Sequence, residues 1–97
     1  MILRIVKMSF HEEQLPQFIG LFNEVAPLIR QCKGCIELSL LQEQKQQSIV
    51  ATLSKWESIE DLEKYRQSEL FKTTWAKTKV LFNAKPEAWS FEEIGEN

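Results

Sequence analysis

An antiparallel α+β sandwich with elements in the order βαββααβ is the fold this sequence predicts. Three observations carry that expectation. Two runs of alternating apolar residues, 35–43 and 48–56, flank a polar connector short enough for a hairpin. A long helical stripe precedes them, and two serine start signals, Ser58 and Ser68, follow. One strand-like segment before the first helix and another after the last complete a ferredoxin-like sheet.

Residues 2–10 are apolar and β-branched, with Arg4 and Lys7 as interior charges, which suits a strand with one polar-tolerant face. His11-Glu12-Glu13 opens a helix, placing acids where the helix dipole favours them. Leu15, Phe18, Ile19, Phe22, Val25, Ala26 and Ile29 form its buried stripe, and Gly34 is placed to end it in the left-handed conformation. In 35–43, Ile36, Leu38 and Leu40 share one face, opposed by Cys35, Glu37, Ser39 and Leu41. In 48–56, Ile49, Ala51 and Leu53 oppose Val50, Thr52, Ser54 and Trp56. Ser58 and Asp61 have capping-box spacing ahead of a helix that carries Leu62 and Tyr65. Ser68 starts another helix, with Phe71, Trp75, Thr78 and Phe82 along one side and Lys85-Pro86 as its end. Trp89-Ser90-Phe91 forms the last short strand.

The expected helix-covered face carries Leu3, Ile5, Ile36, Leu38, Leu40, Ile49, Ala51 and Leu53. The opposite face then carries Val6, Met8, Leu41, Val50, Trp56, Trp89 and Phe91. Burial of each large apolar side chain is worth roughly 1.5–3 kcal/mol, so a face of this kind is expected to be covered. The economical cover is a homodimer in which two sheets face each other as a dimeric α/β barrel. Ligand space is then expected between the sheet and its partner.

Composition narrows the class. The 97 residues read as one domain, 1–97, and 43% hydrophobic with 27% charged residues is ordinary globular composition. Fourteen acids and 12 bases give a net charge of −2 without a basic block, so no nucleic-acid partner is expected. No run approaches the roughly 20 apolar residues of a membrane span, and Met1 to Met8 reads as a strand rather than a signal peptide. A cytoplasmic location is the default. Cys32-Lys33-Gly34-Cys35 falls at a helix C-terminus, where the dipole opposes thiolate formation, and His11 is the sole histidine. The cysteines therefore read as reduced and structural, with no metal or cofactor implied.

The aromatic residues point to a small-molecule pocket. Trp56, Tyr65 and Trp75 fall at spacings that return them to one side of the sheet, with Val6, Met8 and Trp89 as further lining. Arg4, on the strand face of Val6 and Met8, is suited to stabilise a phenolate or carboxylate, and Glu37 is a candidate base. The alternative is a structural ion pair between Arg4 and Glu37, with Trp75 and Phe82 in the core and Trp89 sealing an interface.

Gly34-Cys35 at the helix-to-strand junction, Trp56-Glu57-Ser58, and Ser68-Glu69-Leu70-Phe71-Lys72 resemble the antibiotic biosynthesis monooxygenase family across essentially the whole chain. The resemblance implies a dimeric α+β barrel. The family it resembles includes cofactor-independent monooxygenases that oxidise anthrones or quinols with molecular oxygen, haem-degrading monooxygenases, and many members whose activity is unassigned. Trp56 matches the family's pocket tryptophan, and Tyr65 falls where the next helix supplies a ring to the cavity. The first-strand asparagine of active members has no counterpart in Ile5-Val6-Lys7. The iron-ligating histidine of haem-degrading members is matched by Trp75, whose indole has no lone pair to offer, so haem degradation is disfavoured. The expectation is a monooxygenase acting on a hydroxylated aromatic. Trp56 would orient the substrate, Tyr65 would hydrogen-bond it, and Arg4 or Glu37 would manage charge. The alternative is a non-catalytic barrel that binds an apolar ligand.

Overall fold

A computed structural model describes residues 1–95. Four antiparallel strands, β1 (Ile2–Ser9), β2 (Cys35–Gln42), β3 (Ile49–Trp56) and β4 (Glu87–Glu92), form one sheet in the order β2-β3-β1-β4. Helices α1 (Leu15–Arg30), α2 (Ile59–Arg66) and α3 (Glu69–Lys79) complete the expected βαββααβ order. The sandwich is ferredoxin-like, with its longest helix supplying the largest apolar stripe.

Local chemistry explains the element boundaries. A 3-10 turn at Glu12–Gln14 precedes α1, so the acids lie ahead of the helix proper. Phe18, Phe22, Val25, Ala26 and Ile29 are buried along α1. The helix closes at Gln31, ahead of Gly34, which adopts φ +84° within the turn into β2. The Cys35 N–H donates to the Cys32 carbonyl at 3.1 Å across that turn. A Cβ at Gly34 would occupy the space of the Asp61 side chain, so glycine lets α2 seat closely on the turn. Ser58 Oγ accepts from the Asp61 N–H at 3.1 Å, and Ser68 Oγ from the Phe71 N–H at 3.2 Å, as the two start signals require.

One boundary differs from expectation. Helix α3 ends at Lys79 instead of continuing to Lys85-Pro86. Leu81 is buried, Phe82 bridges to Phe10, and the Asn83 N–H donates to the Ser9 carbonyl at 3.0 Å. Pairing with the chain after β1 competes successfully with another helical turn.

The faces of the sheet also differ from expectation. Register pairs Met8 with Val50, Val6 with Thr52, Arg4 with Ser54 and Ile2 with Trp56, and this set faces the helices. Leu3, Ile5, Ile49, Ala51 and Leu53 lie on the open face, the reverse of the assignment made from sequence. Leu38 and Leu40 do face the core, whereas Ile36 is exposed beside a register shift between Cys35 and Glu37. The core runs from Phe10 and Phe18, stacked at 4.6 Å, through Met8, Val50 and Leu38 to Trp56 and Leu62.

Candidate functional site

A cavity of about 340 Å³ lies between the sheet and the helices of the single chain. That volume falls within the roughly 300–1,000 Å³ of small-molecule sites. It therefore lies inside the sandwich, not between the sheet and a partner as the sequence-based face assignment required.

Strand β3 ends on Trp56, which is 0% exposed and forms one wall. Its indole Nε1–H donates to Ser54 Oγ at 3.0 Å, so the ring is oriented from its own strand. Helix α2 lays Tyr65 across it, with ring centroids 5.1 Å apart and planes at 23°. Phe71 meets Tyr65 edge-on at 5.4 Å, and Trp75 stacks on Phe71 at 5.9 Å. These rings make a continuous aromatic wall, with each pair in a favoured geometry. Val6, Met8, Phe22 and Leu62 complete the apolar lining.

The polar groups are few. Thr52, Thr74 and Thr78 line the cavity, though the Thr78 hydroxyl already donates to the Thr74 carbonyl at 2.8 Å. Arg4 enters from β1, and its Nη1–H donates to Ser90 Oγ at 3.0 Å. Burial lowers its pKa, the nearby Arg66 guanidinium adds to that, and Glu63 opposes both. Tyr65 moves the other way: burial first, then the Cys32 and Cys35 thiols, raise its phenol well above the usual value. Tyr65 is accordingly a neutral donor at physiological pH and is poorly suited to act as a base. Burial raises both thiols too, with Cys35 further raised by Cys32 and partly offset by a backbone hydrogen bond at Glu37 and by Arg30.

The structure brings together Trp56, Tyr65, Arg4, Val6, Met8 and Trp75. Trp89 and Glu37 are elsewhere. Trp89 pairs with Ile5, Glu37 pairs with Lys55, and both lie on the open face. The register shift after Cys35 carries Glu37 to the opposite face from Arg4, so the ion pair between them is not formed within the chain. Among the described residues, no carboxylate or imidazole lines the cavity. Among the described residues, no group of three or more His, Cys, Asp and Glu side chains is placed to hold a metal ion. Sequence reasoning missed Arg66, which follows Leu62 by one helical turn and lines the cavity from the last residue of α2. Its spacing from Leu62 was the available signal.

Comparison with known proteins gives a consistent picture. The sequence profile of the family described as "Antibiotic biosynthesis monooxygenase" matches residues 1–77. A conserved protein from Methanosarcina mazei Go1 superposes with a TM-score of 0.91 at 20% identity, covering 97% of this chain and 94% of that one. A structure described as an antibiotic biosynthesis monooxygenase gives 0.90 at 16% identity, covering 98% and 100%. A Mycobacterium tuberculosis protein gives 0.89 at 14% identity, covering 98% and 96%. At these identities the structural likeness speaks to the fold. No curated protein matches the chain.

Proposed function

The chain belongs to the antibiotic biosynthesis monooxygenase family, and from that premise we propose that it oxidises a hydroxylated aromatic, of anthrone or quinol type, with molecular oxygen. The observation that carries this reading is the Trp56–Tyr65 stack facing a largely apolar cavity lined by the Arg4 guanidinium. Oxidation without a cofactor requires the substrate as its anion, since the anion donates the first electron to oxygen. For an anthrone, the carbanion and oxygen combine to a peroxide anion, which takes back one proton from solvent and then, as the hydroperoxide, expels water and leaves the quinone carbonyl. The aromatic wall holds the ring and excludes water, while Arg4 lowers the cost of the anion. Tyr65, held as a phenol, donates a hydrogen bond to the developing oxyanion. Among the described residues the lining holds no carboxylate or imidazole, so the substrate enters as an anion that has already lost its proton to solvent.

That same lack of a base favours a second reading, a non-catalytic barrel that binds an apolar or aromatic ligand. A homodimer is part of both readings. The open face presents Leu41, Trp89 and Phe91, 43–49% exposed, beside Ile5 and Leu53, an apolar patch that a second sheet would cover. Among the described residues, no helix is long and apolar enough to cross a membrane. A cytoplasmic location is proposed on the sequence alone.

Oxygen uptake by metal-free protein with a panel of naphthohydroquinones and anthrones tests the reaction. Trp56→Phe and Tyr65→Phe should each lower saturable uptake about tenfold, some 1.4 kcal/mol of barrier. Uptake no faster than autoxidation across the panel would favour the binding barrel.

A further inference from the structure

Arg66 gives the cavity a second cationic group that an aromatic ligand alone does not explain. Arg4 stands on β1 between Ser54 and Ser90, its register partners on β3 and β4. Among the described residues it makes no ion pair; its side-chain partner is the Ser90 hydroxyl. Arg66 closes α2 beside Tyr65, and Glu63 accepts from one of its nitrogens at 2.9 Å. A guanidinium carries five N–H donors in a planar fork, so both arginines retain donors for a ligand. Arg4 and Arg66 line the cavity and Glu63 pairs with Arg66 from outside the lining, which leaves this region with a net positive charge beside a wall of rings.

We propose that Arg4 and Arg66 form an anion cradle at the end of the aromatic cavity, so that the ligand is an aromatic acid: a fused or single ring bearing a carboxylate. The ring lies against Trp56 and Tyr65, and the carboxylate accepts hydrogen bonds from the two guanidinium forks. The mutual repulsion that helps lower the Arg4 pKa is relieved when the anion sits between them. Glu63 acts as an internal competitor, occupying Arg66 until a ligand carboxylate displaces it. This deepens the aromatic-pocket reading and rests on it, but it does not rest on oxygen chemistry.

The test is equilibrium binding without oxygen, using 1-hydroxy-2-naphthoate and 1-hydroxy-2-naphthamide, which share ring and hydroxyl and differ in charge. Titration calorimetry should show the carboxylate bound about tenfold more tightly than the amide. Arg66→Gln, at an exposed helix end, should remove most of that preference, and Glu63→Gln should strengthen carboxylate binding. A merely structural Arg66–Glu63 pair predicts that both variants weaken the two probes alike. Equal affinity for the probes, or a preference that survives Arg66→Gln, overturns the cradle while leaving the aromatic pocket standing. Failure of both probes to bind overturns the cradle and the aromatic pocket together. The oxygen-uptake result bears on neither outcome.

Discussion

The two faces of the sheet are nearly equal in apolar content yet opposite in use. Toward the helices, Met8, Val50, Leu38 and Trp56 are buried and share their face with Arg4, Ser54 and Thr52. On the other face, Ile5, Leu53, Trp89 and Phe91 stand without a cover from the described residues, flanked by the Lys7–Glu87 pair at 3.5 Å. The covered face tolerates polar groups because the cavity gives them space and partners. The open face is apolar without enclosing anything. Hydrophobicity alone therefore does not distinguish a ligand site from an association surface; enclosure by the same chain does.

The comparison breaks most sharply at Trp56. Truncation to Ala removes a 0% exposed ring, and chemical denaturation should show a loss of about 3–5 kcal/mol. Trp89→Ala on the open face should leave the stability of the isolated subunit within about 1 kcal/mol, since surface truncations are mild. Trp89→Glu combined with Phe91→Glu should instead shift sedimentation from dimer to monomer. Each ring withdrawn from the proposed interface is worth roughly 2 kcal/mol. Binding of an aromatic ligand should survive in that monomer, because the cavity lies on the helix side of the sheet, opposite the face that carries Trp89 and Phe91.

Smaller effects sharpen the picture. Ser54→Ala leaves the buried Trp56 Nε1–H without its acceptor and should cost about 1–3 kcal/mol in urea melts, together with a shift in indole fluorescence. Tyr65 supplies a pH test. Its phenol keeps its proton in the folded chain to higher pH than in the unfolded chain, where it titrates near about 10. Stability from this group is complete below that value and is lost as pH rises through the folded pKa. Tyr65→Phe should flatten the alkaline side of the stability profile, read from denaturation midpoints on either side of pH about 10.

Much of the fold is legible because caps and turns are local chemistry. Ser58 and Ser68 each act through atoms within a few residues and sit where their spacing places them; Gly34 takes the expected left-handed conformation but serves the turn and the seating of Asp61, not the helix end itself. The faces are not legible in the same way. Alternation in β1 separates Ile2, Arg4, Val6 and Met8 from Leu3, Ile5 and Lys7, but both sets are mostly apolar and each contains a cation. Parity is fixed while its direction is not. The irregularity after Cys35 then reverses parity within β2, which is why Glu37 leaves the site while Cys35 stays near Tyr65. Trp56, Tyr65, Trp75 and Arg4 were reachable as a group because they follow from β3, α2, α3 and β1 once the order is known. Arg66 was reachable too, one helical turn after Leu62 on α2, but as a charged residue at a helix end it reads as a solvated position until the cavity is seen.

Strand β4 has one further consequence. It is exposed at every position, occupies the edge next to β1, and supplies Ser90 to Arg4 across 86 positions of sequence. Pro86 and Ala88, just before and within it, complete the cavity lining. As the chain leaves the ribosome, β1 to β3 and all three helices are made before this strand, so β1 waits with one side of its ladder open. Closing so long a loop is entropically slow, and an unpaired strand edge recruits other chains. Newly made protein should thus be most vulnerable to aggregation in the interval before β4 arrives, and the binding cavity is among the last features to exist.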